Sequence, residues 1–141
     1  MLKVAIVTTL AMLSQQQPSD LWQVFEKVEF ESRFVASENA SFYFPVFNDQ
    51  LLQKEGKKVL IKGYYLPVDM SAEGIVVSRY PMATCFFCGE AGPESVVMVY
   101  PEQAPVGLQM DQEVIFEGVL ELNKDDVYAL SFILRNATRL K

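Results

Sequence analysis

Histidine is missing from all 141 residues, and cysteine occurs only twice. The first absence removes imidazole bases and imidazole metal ligands, so no Ser–His or Cys–His nucleophile pair can be built. The second leaves one constellation with chemical spacing, Cys85-Phe86-Phe87-Cys88-Gly89. Covalent haem attachment fails there, because glycine stands where histidine must follow the second cysteine. No glycine-rich phosphate loop, nucleophile elbow or zincin motif occurs, and no paired acid and base. Repeats and low-complexity linkers are lacking too. The sequence therefore reads as a non-enzyme. Basic residues are also outnumbered, 12 Lys and Arg against 18 Asp and Glu, for a net charge of −6. Such a surface repels phosphate backbones and anionic lipid heads, which disfavours nucleic-acid and membrane-surface partners. Proteins and small ligands stay open as partners.

What is present is an ordinary globular composition, 50% hydrophobic and 21% charged, in a chain long enough for one domain with a real core. Lys3 followed by apolar residues 4–13 is too short to span a bilayer. Thr9-x-Ala11 and Met12-x-Ser14 offer small-residue cleavage signals before the polar 15–18 stretch. Residues 1–14 read as an export signal, with a buried N-terminal strand or helix as the alternative. The expected mature protein is exported and periplasmic, has no integral membrane segment, and holds its cysteines in an oxidising compartment.

Residues 15–54 read as an N-terminal extension packed on a β domain over 55–141. Within the extension, residues 21–28 form a short helix or an irregular stretch, with Trp22 and Phe25 packed down. Val28, Phe30, Ser32 and Phe34 alternate with Glu29, Glu31 and Arg33, the period-two mark of a strand with one wet face. The aromatic stretch 41–47 is extended, and Pro45 keeps it from a central ladder position. Asn48 caps a short helix ended by Gly56.

From Lys57 onward the pattern is all strand. Val59, Ile61, Gly63 and Tyr65 share one face; residues 74–80 and 96–100 are apolar runs stopped by Pro81 and Pro101. Val114, Phe116, Leu120 and Leu122 face one way in the strand 113–122. After an Asn123-to-Asp126 turn, Tyr128, Leu130, Phe132 and Leu134 share a face of the last strand. Gly63 and Gly118 sit mid-strand, where glycine costs about 0.5–1 kcal/mol unless the chain bends or another backbone approaches. Together these predict a mainly β fold: a small OB-like, partly closed antiparallel barrel with one or two short helices. An open sheet or a sandwich is the alternative.

The Cys85/Cys88 loop supports three chemistries. A disulfide between neighbours this close removes about 2 kcal/mol of unfolded-chain entropy, so it stiffens a turn rather than holding a domain together. Zinc could take both thiolates, but it wants four ligands, and without histidine the others would be carboxylates such as Glu94, water or a second chain. A reactive thiol pair usually has its leading cysteine at a helix N-terminus. Here Gly89, Gly92 and Pro93 precede the next strand and leave no room for that helix. Phe86 and Phe87 point opposite ways if the segment is extended, one into the core and one outward as a contact residue. Tyr64, Tyr65 and Tyr80 could line a barrel mouth, where OB domains often bind ligands. Glu113, Glu117 and Glu121 read as a solvated strand face.

The residues 56–59 (Gly-Lys-Lys-Val), Gly63-Tyr64-Tyr65-Leu66-Pro67, Cys85-Phe86-Phe87-Cys88-Gly89 and Gly92-Pro93-Glu94-Ser95 resemble an uncharacterised family of secreted Gram-negative bacterial proteins. The resemblance covers most of the chain from Phe44 onward and implies an exported OB-like domain. The loop also looks like that of a broader periplasmic family of unknown function, with cysteine and histidine before a proline run and members associated with zinc uptake. This chain keeps Cys85 and Pro93 but has Phe87 where the histidine would fall. The expectation is an exported binding or accessory domain with the Cys85/Cys88 loop as a rigid, disulfide-closed recognition element. A zinc-handling protein is the second reading and a thiol–disulfide oxidoreductase the third.

Overall fold

The computed structural model describes residues 20–71 and 73–141, so the expected export signal lies outside the described residues. Asp20 caps the first helix, α1 (Leu21–Phe25), by accepting a hydrogen bond from the Trp22 amide at 3.2 Å. Its apolar positions are all buried, and the Trp22 indole N–H donates to the Lys62 carbonyl at 2.7 Å. Strands β1 (Glu29–Val35) and β2 (Ala40–Val46) then form a separate antiparallel hairpin. Asn48 caps the short α2 (Asp49–Leu52) through its side chain, as its residue type suggests.

Five strands close into a barrel: β3 (Lys58–Leu66), β4 (Ile75–Ser78), β5 (Val96–Pro101), β6 (Glu113–Leu122) and β7 (Phe132–Arg139), in ring order β3-β4-β5-β7-β6. In the order of the chain this is 1-2-3-5-4, a Greek-key barrel of the OB type. The expected mainly β barrel is there, with two corrections. It is closed rather than partly closed, through the β3–β6 ladder that pairs Lys58 with Val119 and Tyr64 with Glu113. It is also not wholly antiparallel, because β5 and β7 run parallel. The reason is arithmetic: strand directions cannot alternate all the way round a ring with an odd number of members.

Gly63 and Gly118 are what closure requires. A Cβ on Gly63 would collide with the Ser78 carbonyl oxygen of β4, and one on Gly118 would lie 2.7 Å from the Arg135 carbonyl of β7. Backbones approach there because the sheet coils tightly, and the β6–β7 register shifts beside Gly118. Inside the ring, Ile61, Val77, Val97, Val99, Phe116, Leu120 and Leu134 form one core. Helix α1 plugs it: Phe25 is fully buried and stacks on Phe132 with centroids 3.8 Å apart.

The last strand starts later than the sequence pattern predicts. Residues 127–131 are turn and loop, and Tyr128 is 71% exposed. Its hydroxyl donates to the Glu38 carboxylate at the hairpin tip, a contact between chain segments that periodicity cannot read. The wet-face expectation for β1 was too modest. Phe34, Ser32 and Arg33 are all exposed, because the hairpin meets the barrel through few side chains.

Candidate functional site

The loop between β4 and β5 carries the cysteines. Short 3-10 turns occupy Met82–Thr84, Phe86–Cys88 and Pro93–Ser95. Phe86–Cys88 ends at Gly89 in the left-handed region (φ 79°), so no α-helix directs its N-terminus at a thiol. Cys85 is fully buried in a second cluster with Leu66, Val76, Val96, Met98, Leu130 and Ile133. Val76 and Met98 alternate with the barrel-lining Val77, Val97 and Val99, so this cluster lies on the outer wall of the barrel. The cysteine loop thus covers the outside of β4 and β5, which are buried on both faces. The unbroken apolar runs at 75–77 and 96–99 carry that signal in the sequence.

The two sulfurs differ sharply. Cys85 Sγ packs 3.9 Å from Met82 Sδ, while the exposed Cys88 thiol donates to the Met82 carbonyl at 2.9 Å. Both thiols are free. Loss of solvation, then contact with the Cys85 thiol and the nearby Cys85 and Glu90 charges, pushes the Cys88 thiol above its ordinary value of 9.0. A reactive thiol needs the opposite shift. Cys85 lies buried among apolar side chains, and the surroundings of Cys88 favour its thiol over its thiolate.

The Glu94 carboxylate folds back over Gly92, and among the described residues no three of His, Cys, Asp and Glu gather as a metal group.

The tyrosines do not form one mouth. Tyr64 borders a shallow depression with Trp22, Lys62, Arg79 and Glu113, beside α1. Tyr65 packs on the main core. Tyr80 is exposed, with the Arg79 guanidinium 5.7 Å from its ring centre. Arg79 itself is held protonated by its 2.6 Å ion pair with Glu26, which raises its already high pKa.

Phe86 is half-buried against the outer cluster rather than in the barrel core, Phe87 is exposed, and a 3-10 turn rather than an extended strand sets them apart. Phe86 reaches further than the sequence indicates. With Pro93 it forms one wall of an apolar groove of about 590 Å³. The second wall is the 123–129 turn, held by the Asn123 side chain, which bonds the Asp126, Ala129 and Leu130 carbonyls. The third is the hairpin, contributing Phe30 from β1 and residues 41–45 from β2. The hairpin is tied across by Tyr128 to Glu38 and by Arg33 to Asp125 at 3.8 Å. The Arg33 guanidinium also lies 3.9 Å from the centre of the Phe44 ring. Phe42, Phe44, Pro45 and the 123–129 turn were not legible as site residues. The density of aromatics in 41–47 is the one trace of them in the sequence.

Among the described residues no helix is long and apolar enough to cross a membrane. No family model and no curated protein matches the chain. A crystal structure of a DUF3299 family protein from Pseudomonas aeruginosa PAO1 is similar over 69% of this chain and 68% of that one, at 18% identity and a TM-score of 0.44. At that level the likeness carries no argument about activity.

Proposed function

We propose that this chain is an exported, non-enzymatic binding or accessory domain whose ligand occupies the groove between hairpin and barrel. One observation carries the reading: Phe86, from the middle of the cysteine loop, meets the aromatic run of β2 across an apolar space of about 590 Å³. That volume lies in the range of small-molecule and side-chain pockets, which are apolar with a few polar groups at the rim. Here Asn123, Lys124 and Asp126 supply the rim. A high-pKa thiol and a buried partner speak against turnover at the cysteines.

The loop serves as a rigid wall. Cys85 anchors it, and the Cys88 amide bonds the Cys85 carbonyl at 3.2 Å. A turn closed in this way holds its end Cα atoms within about 7 Å, the upper limit for a disulfide. In an oxidising compartment a disulfide oxidant would join the two sulfurs, releasing two protons and reducing the oxidant to two thiols. The Cys88 side chain would leave the Met82 carbonyl, and Phe86 would be fixed in the wall.

Titration of the protein with the neutral apolar dye Nile red tests the groove. Saturable one-to-one binding is expected, weakened at least ten-fold by Phe42→Asp. Binding that does not saturate, or that ignores the substitution, defeats the reading. Intact-mass analysis of protein from the periplasm tests the loop: a two-dalton deficit reversed by reductant is expected.

A further inference from the structure

The groove has an asymmetry that a pocket for a small molecule would not need. It is bordered by consecutive β2 residues, Ser41 to Pro45, but by Phe30 alone from β1. Neighbouring residues of a strand point to opposite faces, so a space that touches all of them runs along the strand's edge rather than over one face. Among the described residues β2 pairs only with β1, which leaves this edge without a strand partner there. Opposed residues of an antiparallel pair alternate between exchanging two hydrogen bonds and exchanging none. Pro45, opposite Phe30, has no N–H to exchange and sits at a position that faces away from β1. Two and four residues back, Tyr43 and Ser41 share its phase, so their N–H and C=O groups point away from β1 along the edge that borders the groove. Among the described residues no backbone hydrogen bond reaches those groups from outside the hairpin.

Lys124 and Asp126 border the groove itself, and the elements that carry its walls hold more acid than base around it. The hairpin carries Glu29, Glu31 and Glu38 against Arg33, the cysteine loop carries Glu90 and Glu94, and the last turn carries Asp125 and Asp126 against Lys124. We infer that the outward edge of β2 is a docking strand for an extended peptide segment of another protein, with aliphatic side chains at alternate positions and lysine or arginine at its ends. The peptide backbone pairs with Ser41, Tyr43 and the Pro45 carbonyl, a stretch of roughly 13 Å at about 3.3 Å per residue. Its inward side chains meet Phe42, Phe44 and Phe86, and its basic ends meet the acidic rims. This rests on the groove reading and specifies its ligand.

A capped heptapeptide of alternating valine and threonine with lysine at both ends is the probe, beside two twins N-methylated on alternate sets of backbone nitrogens. Binding to the full mature chain should slow amide exchange at Ser41 and Tyr43 at least ten-fold. One twin should bind like the parent and the other at least ten-fold more weakly, since only one set of nitrogens faces β2. Glutamate in place of the terminal lysines should weaken binding several-fold, with the difference shrinking in high salt. Equal binding of both twins and the parent, or unchanged exchange at Ser41 and Tyr43, overturns the inference. If Nile red saturates the groove but no peptide binds, the inference fails and the groove reading stands; if neither binds, both fail. Concentration-dependent dimers that protect Ser41 and Tyr43 without peptide would make a second copy the occupant and overturn the assignment to another protein.

Discussion

The hairpin and the barrel are both made of alternating strands, yet they use alternation differently. In β6 the pattern is complete: Val114, Phe116, Leu120 and Leu122 are buried while Glu113, Glu117 and Glu121 are half-exposed between them. In β1 the same period leaves Phe34 65% exposed, and across the hairpin Tyr43 is 73% exposed. The barrel closes its own edges, so every inward side chain has a partner across the ring. Among the described residues the hairpin pairs with no third strand on either side. Alternation reports that a segment is a strand; whether its apolar face is covered depends on what the rest of the chain brings to it.

The sharpest way to test this contrast is to remove the helix side chain that fills the barrel's core. Phe25→Ala leaves a void against Phe132 and should cost about 3–5 kcal/mol in urea unfolding. A loss under about 1 kcal/mol would mean that α1 is not part of the barrel core. Next in size is Gly118→Ala, which pushes a methyl toward the Arg135 carbonyl and should cost about 1–3 kcal/mol. A neutral result would indicate that the barrel is looser at this bend than its geometry implies. On the hairpin, Phe34→Ser should change stability by no more than about 0.5 kcal/mol, since the ring is mostly in water. A larger loss would reveal a covered face and break the comparison.

The smallest expected effect lies at the seam of the barrel. The hydrogen bond from Lys141, with help from Lys62, holds the Glu113 carboxyl below its ordinary value of 4.5. A carboxyl depressed in the folded state stabilises it above the unfolded value and loses that contribution as pH falls through the folded one. Glu113→Gln should therefore be slightly less stable than the wild type at pH 7. The two should converge as pH drops below 4.5, which thermal unfolding across that window can follow. Parallel curves at all pH values would remove the pair from the account.

Several features of the site were visible from residue types alone. Asn48 capped its helix, Pro45 kept β2 off a central position, and the spacing after Cys88 ruled out a thiol-activating helix. How Glu94 lies relative to the cysteines is a matter that sequence distance cannot settle. Glu94 is six positions from Cys88, yet its carboxylate turns back onto Gly92. Tyr64, Tyr65 and Tyr80 went separate ways for a related reason: two are adjacent on one strand, and the third lies beyond the end of β4.

By itself the sequence determined the strand set, the two close-approach glycines and the poverty of catalytic groups, because each follows from local sterics or from residue inventory. The tertiary structure alone decided that the barrel closes with a parallel pair, that Cys85 is buried under a loop on its outer wall, and that Phe86 meets Phe42 and Phe44 across a groove. Those three depend on where distant segments come to rest. That is settled by burying apolar area across the whole chain, a sum that no local window contains.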